Sequence, residues 1–307
     1  MSRDHSTLPR TTWWLLAALT LGWGMNWPMM KIALAEIPVW TFRCLSVVGG
    51  GVAMFVVARL AGDRLRIPRD ELRMLVITAL FNVTLWNVFV GYGVRALPAG
   101  RAVILAFTMP VWTVLISAFV LRERLTRRKI TGVALGMAGL VVLLGDSLKV
   151  LGEAPFGSAM VMLAAVSWAC GTVLMKRYPS TLSTSAFTAW SLVIGGLPLA
   201  IGTALLDGIS LRPMSDAAMG ALLYNIFIAF LLCYWLWFRI VTLAPAGVSA
   251  LGTLMIPVVG ITSGMLILGE RPGLADLGAM ALVMAALATV LIPGRATPAQ
   301  AGAAADR

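Results

Sequence analysis

Ten apolar runs, separated by short polar or proline- and glycine-bearing stretches, set the pattern of this chain. In a window of ~19 residues they fall near 12–34, 39–60, 72–94, 98–121, 130–149, 156–176, 184–205, 216–238, 245–268 and 274–293. A helix of ~20 residues crosses the hydrocarbon core of a bilayer with its backbone hydrogen bonds satisfied internally, so each run predicts one spanning helix. The short connections predict antiparallel neighbours.

The pattern is written twice. Pro98, Pro110 and Glu123 recur 147 residues later as Pro245, Pro257 and Glu270, and both copies open Pro-Ala-Gly. Trp23, Met30, Lys31 and Phe42 recur 145 residues on as Trp168, Met175, Lys176 and Phe187. Each repeat holds five runs, an odd number, so the second copy enters the membrane from the opposite side. The predicted fold is all-α and integral to the membrane: ten transmembrane helices as two inverted five-helix repeats around a central cavity. Residues 12–149 form the first repeat and 150–293 the second, with a leader at 1–11 and a disordered tail at 294–307. Duplication of this kind in a bilayer points to a transporter with a site at the repeat interface.

Composition agrees. With 60% hydrophobic and 12% charged residues and a mean hydropathy of +0.91, the chain carries more apolar surface than a soluble fold of its length hides. The net charge of +11 raises nucleic acid as a partner, but the position of the cations removes it. Of 24 Lys and Arg, 17 fall at ends assigned to one side: Arg3, Arg10, the loops Arg59 to Arg73 and Arg122 to Lys129, Lys176, Arg177, Arg239 and the tail. Lys31, Arg95, Arg101, Lys149, Arg212 and Arg271 lie on the other, and Arg43 lies inside a span. Basic loops are retained in the cytoplasm, which predicts an inner-membrane protein with both termini inside. The N-terminal Arg residues, apolar run and Ala33-Leu34-Ala35 mimic a cleavable signal. The run is too long for one, carries Asn26 and Pro28, and is the partner of 156–176.

Cys44, Cys170 and Cys233 lie within spans and form no disulfide framework or metal-ligand spacing. His5, in the leader, is the one histidine, which removes a zinc site or histidine relay from consideration. No cofactor is expected, and no catalytic residue: an intramembrane enzyme would need a nucleophile and base at membrane depth.

The paired Pro-Ala-Gly, Pro and Glu pattern, followed by Gly132, Gly136 and Gly139 in one half and Gly278 in the other, resembles the EamA-type domain of the drug/metabolite transporter superfamily. Within it, the ten-helix form is most similar to the YddG-type exporters of aromatic and other amino acids. The resemblance implies an inner-membrane exporter whose cavity is lined mainly by helices 1, 3, 4, 6, 8 and 9.

Candidate substrate contacts come from polar and aromatic residues at helical spacing. On the first helix Trp23, Asn26, Trp27 and Met30 share a face, and their counterparts are Trp168, Gly171, Thr172 and Met175. Tryptophan supplies a flat apolar wall with one donor, and asparagine a donor and an acceptor where unpaired polar groups are costly. Ordinary helix packing accounts for Trp23 equally well, and Trp13 and Trp14 read as interface anchors. Thr78, Asn82 and Trp86 share a face of the third helix, with Asn87 on another; the eighth helix offers Tyr224, Asn225 and Tyr234. Asn82 and Asn225 are assigned to the cavity, whereas Asn87 also reads as a bridge between helices. Ser249 and Thr253 precede Pro257 by about two turns and one turn and complete the set. Pro110 and Pro257, each mid-span, are candidate hinges as well as candidate static bends.

Arg43 and Arg101 each lie about one turn into a span. The expectation adopted for both is a side chain that snorkels to the headgroups. Glu123 and Glu270 sit beside arginines and are expected to pair locally. Gly132, Gly136 and Gly139 have small-xxx-small spacing, which serves packing within the chain or between copies.

The spans hold no Asp or Glu near their middles, so a dedicated carboxylate for proton or sodium coupling is missing. The sequence therefore predicts facilitated export, by alternating access, of small amphipathic metabolites such as phenylalanine, methionine and threonine. The alternative is an exporter of cationic or aromatic drugs, with or without proton coupling, since indole faces attract cations. A channel or other non-carrier membrane protein is a further alternative.

Overall fold

The computed structural model describes residues 10–122, 125–149, 154–208, 213–236 and 255–291, and among these the regular structure is helical throughout. In chain order the helices are α1 (Arg10–Glu36), α2 (Val39–Leu60), α3 (Leu72–Ala96), α4 (Ala99–Val120) and α5 (Arg127–Lys149). They continue as α6 (Ala154–Arg177), α7 (Thr184–Asp207), α8 (Asp216–Leu236), α9 (Ile256–Leu268) and α10 (Leu274–Leu291). By length and composition α2, α3, α4, α6, α7 and α8 qualify to cross a membrane, and α9 and α10 are shorter apolar helices. The start of the ninth apolar run, with Ser249 and Thr253, lies outside the described residues, as do Glu123, residues 1–9 and the tail.

Local chemistry places the boundaries. Pro38 and Pro98 stand immediately before α2 and α4 with φ of −56° and −55° and extended ψ. Leu97, forced out of the helical region by the proline that follows, is extended at φ −116° and ψ 158°. Ser183 and Ser215 cap α7 and α8 by accepting from the amides of Ala186 and Ala218. The end of α9 is Gly269 at φ 67°, the left-handed position that glycine takes without strain.

Three helices depart from α geometry in their interiors. Proline lacks an amide hydrogen, and at Pro110 it splits α4 into Ala99–Ala106 and Met109–Val120. The buried Thr108 hydroxyl donates to the Leu105 carbonyl at the break. In α3 the stretch Leu80–Leu85 is π-helical, as is Tyr224–Leu232 in α8, at the matching point of the second repeat. The helix facing each wide turn bonds to it: Ser167 Oγ donates to the Phe81 carbonyl, and Tyr224 Oη donates to the Gly22 carbonyl.

The main packing pairs are α5 with α10, α2 with α7, α3 with α6, α1 with α8, α1 with α9, α4 with α6, α2 with α8, α3 with α7 and α4 with α9. Exchanging the first five helices for the last five maps this set onto itself. The glycines of α5 serve this packing: a Cβ at Gly136 would meet Val111 Cγ2 at 2.2 Å, and one at Gly139 would meet Val283 Cγ2 at 3.1 Å. At both positions the close contact is within the chain. The largest buried cluster runs through the first half of α4 (Ala99 and Ala102–Phe107) and joins it to α1, α3, α9 and α10.

Candidate functional site

Beside that cluster lies a cavity of about 580 Å³, within the size range of small-molecule sites. From α1 it is lined by Trp23, Asn26, Trp27 and Met30, from α3 by Thr78, Asn82, Trp86 and Asn87, and from α6 by Trp168, Thr172 and Met175. The break of α4 opens onto it through Phe107, Met109, Pro110 and Thr113. Three contributions fall outside the expected set of lining helices, one of them Leu287 of α10. The helix α7 supplies Phe187, Thr188 and Ser191, and α2 supplies Arg43. From α9, Ile256 reaches the cavity.

The structure therefore brings together Trp23, Asn26, Trp27, Thr78, Asn82, Trp86 and Trp168, with Pro110 at the edge of the same space. It separates Tyr224 and Asn225 from them. The Tyr224 hydroxyl is spent on the Gly22 carbonyl at 2.8 Å, joining α8 to α1. Asn225 is 0% exposed and its Nδ2 donates to the Ala221 carbonyl of its own helix. The cavity face of α8 is Ala229, Phe230 and Tyr234 instead. Pro257 is buried in the first turn of the described α9 and is not part of the lining.

Asn87, open by sequence to both the cavity and a helix bridge, joins the lining. Regular α spacing sets Asn82 and Asn87 on different faces, but the π turn between them bonds i to i+5 and brings residues five apart onto one face. Both line the cavity. The signal was absent from the residue pattern because π segments have no strong sequence signature.

The aromatic walls are fixed by contacts among themselves. Trp86 and Trp168 lie with ring centroids 4.9 Å apart. Trp23 meets Tyr234 edge-on at 5.8 Å and its Nε1 donates to the Ala229 carbonyl in the π turn of α8. Asn82 lies on Gly171, where an added Cβ would fall 1.7 Å from its Oδ1, and donates from Nδ2 to the Trp168 carbonyl at 3.1 Å. Three oxygens of the lining are buried without a hydrogen-bond partner, Asn26 Oδ1, Asn82 Oδ1 and Ser191 Oγ, and so is the donor Arg43 Nε. Orphan acceptors in an apolar chamber are costly unless a ligand or water meets them.

Arg43 also breaks expectation. Rather than reaching for the surface it is 2% exposed and lines the cavity. Arg101, read from sequence in the same way, donates from Nε to Asp276 at 2.8 Å.

One end of the molecule is fastened by groups from distant helices. Glu270 accepts from the Ala99 and Gly100 amides at 2.6 and 3.0 Å, capping α4. Asp207 takes the Thr41 amide and hydroxyl at the start of α2, and Glu36 takes the amide and hydroxyl of Ser215 at the start of α8. Lys31 Nζ donates to the Arg95 and Leu97 carbonyls where α3 ends. Carboxylates at helix N-termini and an ammonium at a C-terminus match the helix dipoles. Glu270 is thus a helix cap, where pairing with its neighbouring arginine was expected. At the opposite end Glu71 bonds Ser180 and Thr181. The Ser215 side chain first and its backbone second hold the Glu36 carboxyl below its usual range; Ser180 and then Thr181 do the same for Glu71.

A helical bundle with this hydropathy and a chamber of this kind fits a multi-pass membrane protein that handles a small molecule. Family comparison gives the particular class. The EamA-like transporter family model matches twice, at residues 11–145 and 155–292, and the chain belongs to this family. It is 30% identical over 299 residues to the uncharacterized transporter YvbV of Bacillus subtilis, covering 96% of both chains. It is 30% identical over 276 residues to a protein of Escherichia coli named "Probable amino-acid metabolite efflux pump", covering 86% of this chain and 89% of that one. A solved structure with 21% identity superposes with a TM-score of 0.63 over 91% of this chain and 96% of its own, and it shares the fold.

Proposed function

We propose that the protein exports amino acids and related small amphipathic metabolites across the inner membrane, by alternating access and without a coupling ion. The observation that carries this is the cavity, where tryptophan walls stand beside the unpartnered acceptors Asn26 Oδ1, Asn82 Oδ1 and Ser191 Oγ. Such a chamber suits a molecule with an apolar side chain and an ammonium or amide donor. The relative named as an amino-acid metabolite efflux pump supports the same substrate class.

Several features support the finer architecture. The doubled family match and the exchange-related helix packing favour two inverted five-helix repeats. The distribution of Lys and Arg favours cytoplasmic termini. On that topology the end fastened by Lys31, Asp207 and Glu270 faces outward, and the cavity reaches toward the cytoplasm past Met175 and Phe187. Phenylalanine, methionine and threonine are the first substrates to try; Ser249 and Thr253 remain candidate contacts, and Pro110 and Pro257 candidate hinges.

The test is counterflow. Purified protein in liposomes loaded with unlabelled amino acid is given labelled threonine, methionine or phenylalanine, with and without a pH gradient. Saturable, stereoselective exchange that ignores the gradient is expected. Absence of flux above empty liposomes, from protein shown to be folded, rejects the assignment. Competition by quaternary ammonium compounds instead of amino acids would move it to the drug exporters.

A further inference from the structure

We infer that Arg43 is the carboxylate-binding residue of the cavity, so that the transported molecule is anchored there by an anionic oxygen group. In the amino-acid reading above, on which the rest of the ligand rests, that group is the α-carboxylate.

The argument begins with what Arg43 lacks. Its guanidinium offers five N–H donors in a fixed planar fork. Nη2 finds the thioether of Met30 at 3.1 Å, Nη1 reaches Asn87 Oδ1 at a long 3.4 Å, and Nε has no acceptor. The ring of Phe42 lies 5.1 Å from Cζ. These are weak, neutral partners for a charge at membrane depth, and among the described residues no carboxylate pairs with it. A buried, half-satisfied charge is one of the costliest groups a protein keeps, and an intramembrane arginine facing a cavity reads as a ligand site. Arg101 shows the contrast, since its charge is met by Asp276.

The side chain is closely seated. Gly91 of α3 lies beneath the side chain, where an added Cβ would stand 3.3 Å from Arg43 Nε and 2.6 Å from Val39 Cγ1. The repeat adds an independent observation. Phe42 corresponds to Phe187, so Arg43 corresponds to Thr188, and Thr188 also lines the cavity. The position faces the cavity in both halves, yet the first half alone carries a charge there. This asymmetry gives an otherwise duplicated chamber a positive pole. Asn26, with its unpartnered Oδ1, lies one turn from Met30 on α1. A zwitterion then fits with its carboxylate toward Arg43, its ammonium toward the amide oxygens, and its side chain among the tryptophans. The same charge opposes cations, which separates this chamber from a cationic-drug site.

Three probes that share a ring test it: phenylalanine, phenylacetate and phenethylamine, titrated against the full-length protein with tryptophan fluorescence. Wild-type protein is expected to bind the first two and to refuse the amine. In Arg43→Gln, affinity for both carboxylates should fall about ten- to a hundred-fold, the scale of a charge-assisted hydrogen bond, and Arg43→Lys should recover part of the loss. A wild-type protein that takes the amine as readily as the acid overturns the inference, as does discrimination that survives in Arg43→Gln. If the glutamine variant does not fold, the wild-type panel and Arg43→Lys decide the question. Phenylacetate binding without amino-acid counterflow would leave the anionic subsite standing and reject the amino-acid reading, so the two failures are distinguishable.

Discussion

Individual side chains in the cavity are held by few but specific partners, and single substitutions should separate their roles. Trp86 and Trp168 contact each other and the cavity. Removing either ring forfeits aromatic contact of about 0.5–1.5 kcal/mol beyond its buried area. Trp86→Ala should therefore raise the KM for phenylalanine several-fold more than that for threonine in counterflow; an equal rise for both would place the ring outside the side-chain pocket. Asn82 works differently, because its Nδ2 already bonds the Trp168 carbonyl and its Oδ1 is unpartnered. In Asn82→Ala the helix-to-helix bond is lost at a cost of about 0.6–2 kcal/mol, read as a lower melting temperature, and a weakened KM should accompany it. Most of these residues were legible in the sequence, since Trp23, Asn26, Trp27, Thr78, Asn82, Trp86 and Trp168 all reach one chamber. Arg43 and Arg101 were not separable by spacing, because a partner 175 residues away, Asp276, distinguishes them.

At the scale of elements, breaks in helical geometry do what regular periodicity does not. The wide turn at Leu80–Leu85 rotates Asn87 onto the cavity face, and the proline break in α4 opens onto the cavity at Phe107 and Met109, with Pro110 in the lining. Pro110→Ala restores a donor and the helical register. It should raise the melting temperature while slowing exchange with little change in KM, if the break serves as a hinge; unchanged turnover would make it a static bend. Close contact between α3 and α6 depends on Gly171, against which Asn82 lies. Gly171→Ala should displace that side chain and cost about 1–3 kcal/mol through overpacking, measured as a fall in melting temperature together with weaker substrate binding.

Across the whole molecule, carboxylates and a lysine tie helix ends together at one end, with Glu71 acting at the other. Glu36 and Glu71 have carboxyls held below their usual range by hydroxyl and amide donors. A group lowered on folding contributes stability that is present above its unfolded value and lost as pH falls through its folded value. The melting-temperature difference between wild type and Glu36→Gln, or Glu71→Gln, should be present at neutral pH and shrink to nothing in strong acid. Glu36 is exposed and Glu71 partly so, so salt should weaken the difference as well. A difference that persists at low pH would show that the charge is not its source. Glu270 caps two buried amides of α4, so Glu270→Gln should loosen that end. Hydrogen exchange at Ala99 and Gly100 should rise while the amides of α2 stay protected.

The sequence by itself determined that the chain is helical, membrane-embedded, internally duplicated and similar to a transporter family. In a hydrocarbon solvent every backbone hydrogen bond must close within a helix, so hydropathy alone reads out the elements, and duplication survives as matching spacings such as Pro98 and Pro245. Tertiary structure alone decided which polar groups face one another. Asn87 enters the cavity and Asn225 leaves it, Arg101 is neutralised while Arg43 is not, and α2 and α7 join the lining. Those outcomes depend on wide turns that shift the helical phase and on partners far away in sequence, and neither leaves a periodic mark in the order of residues.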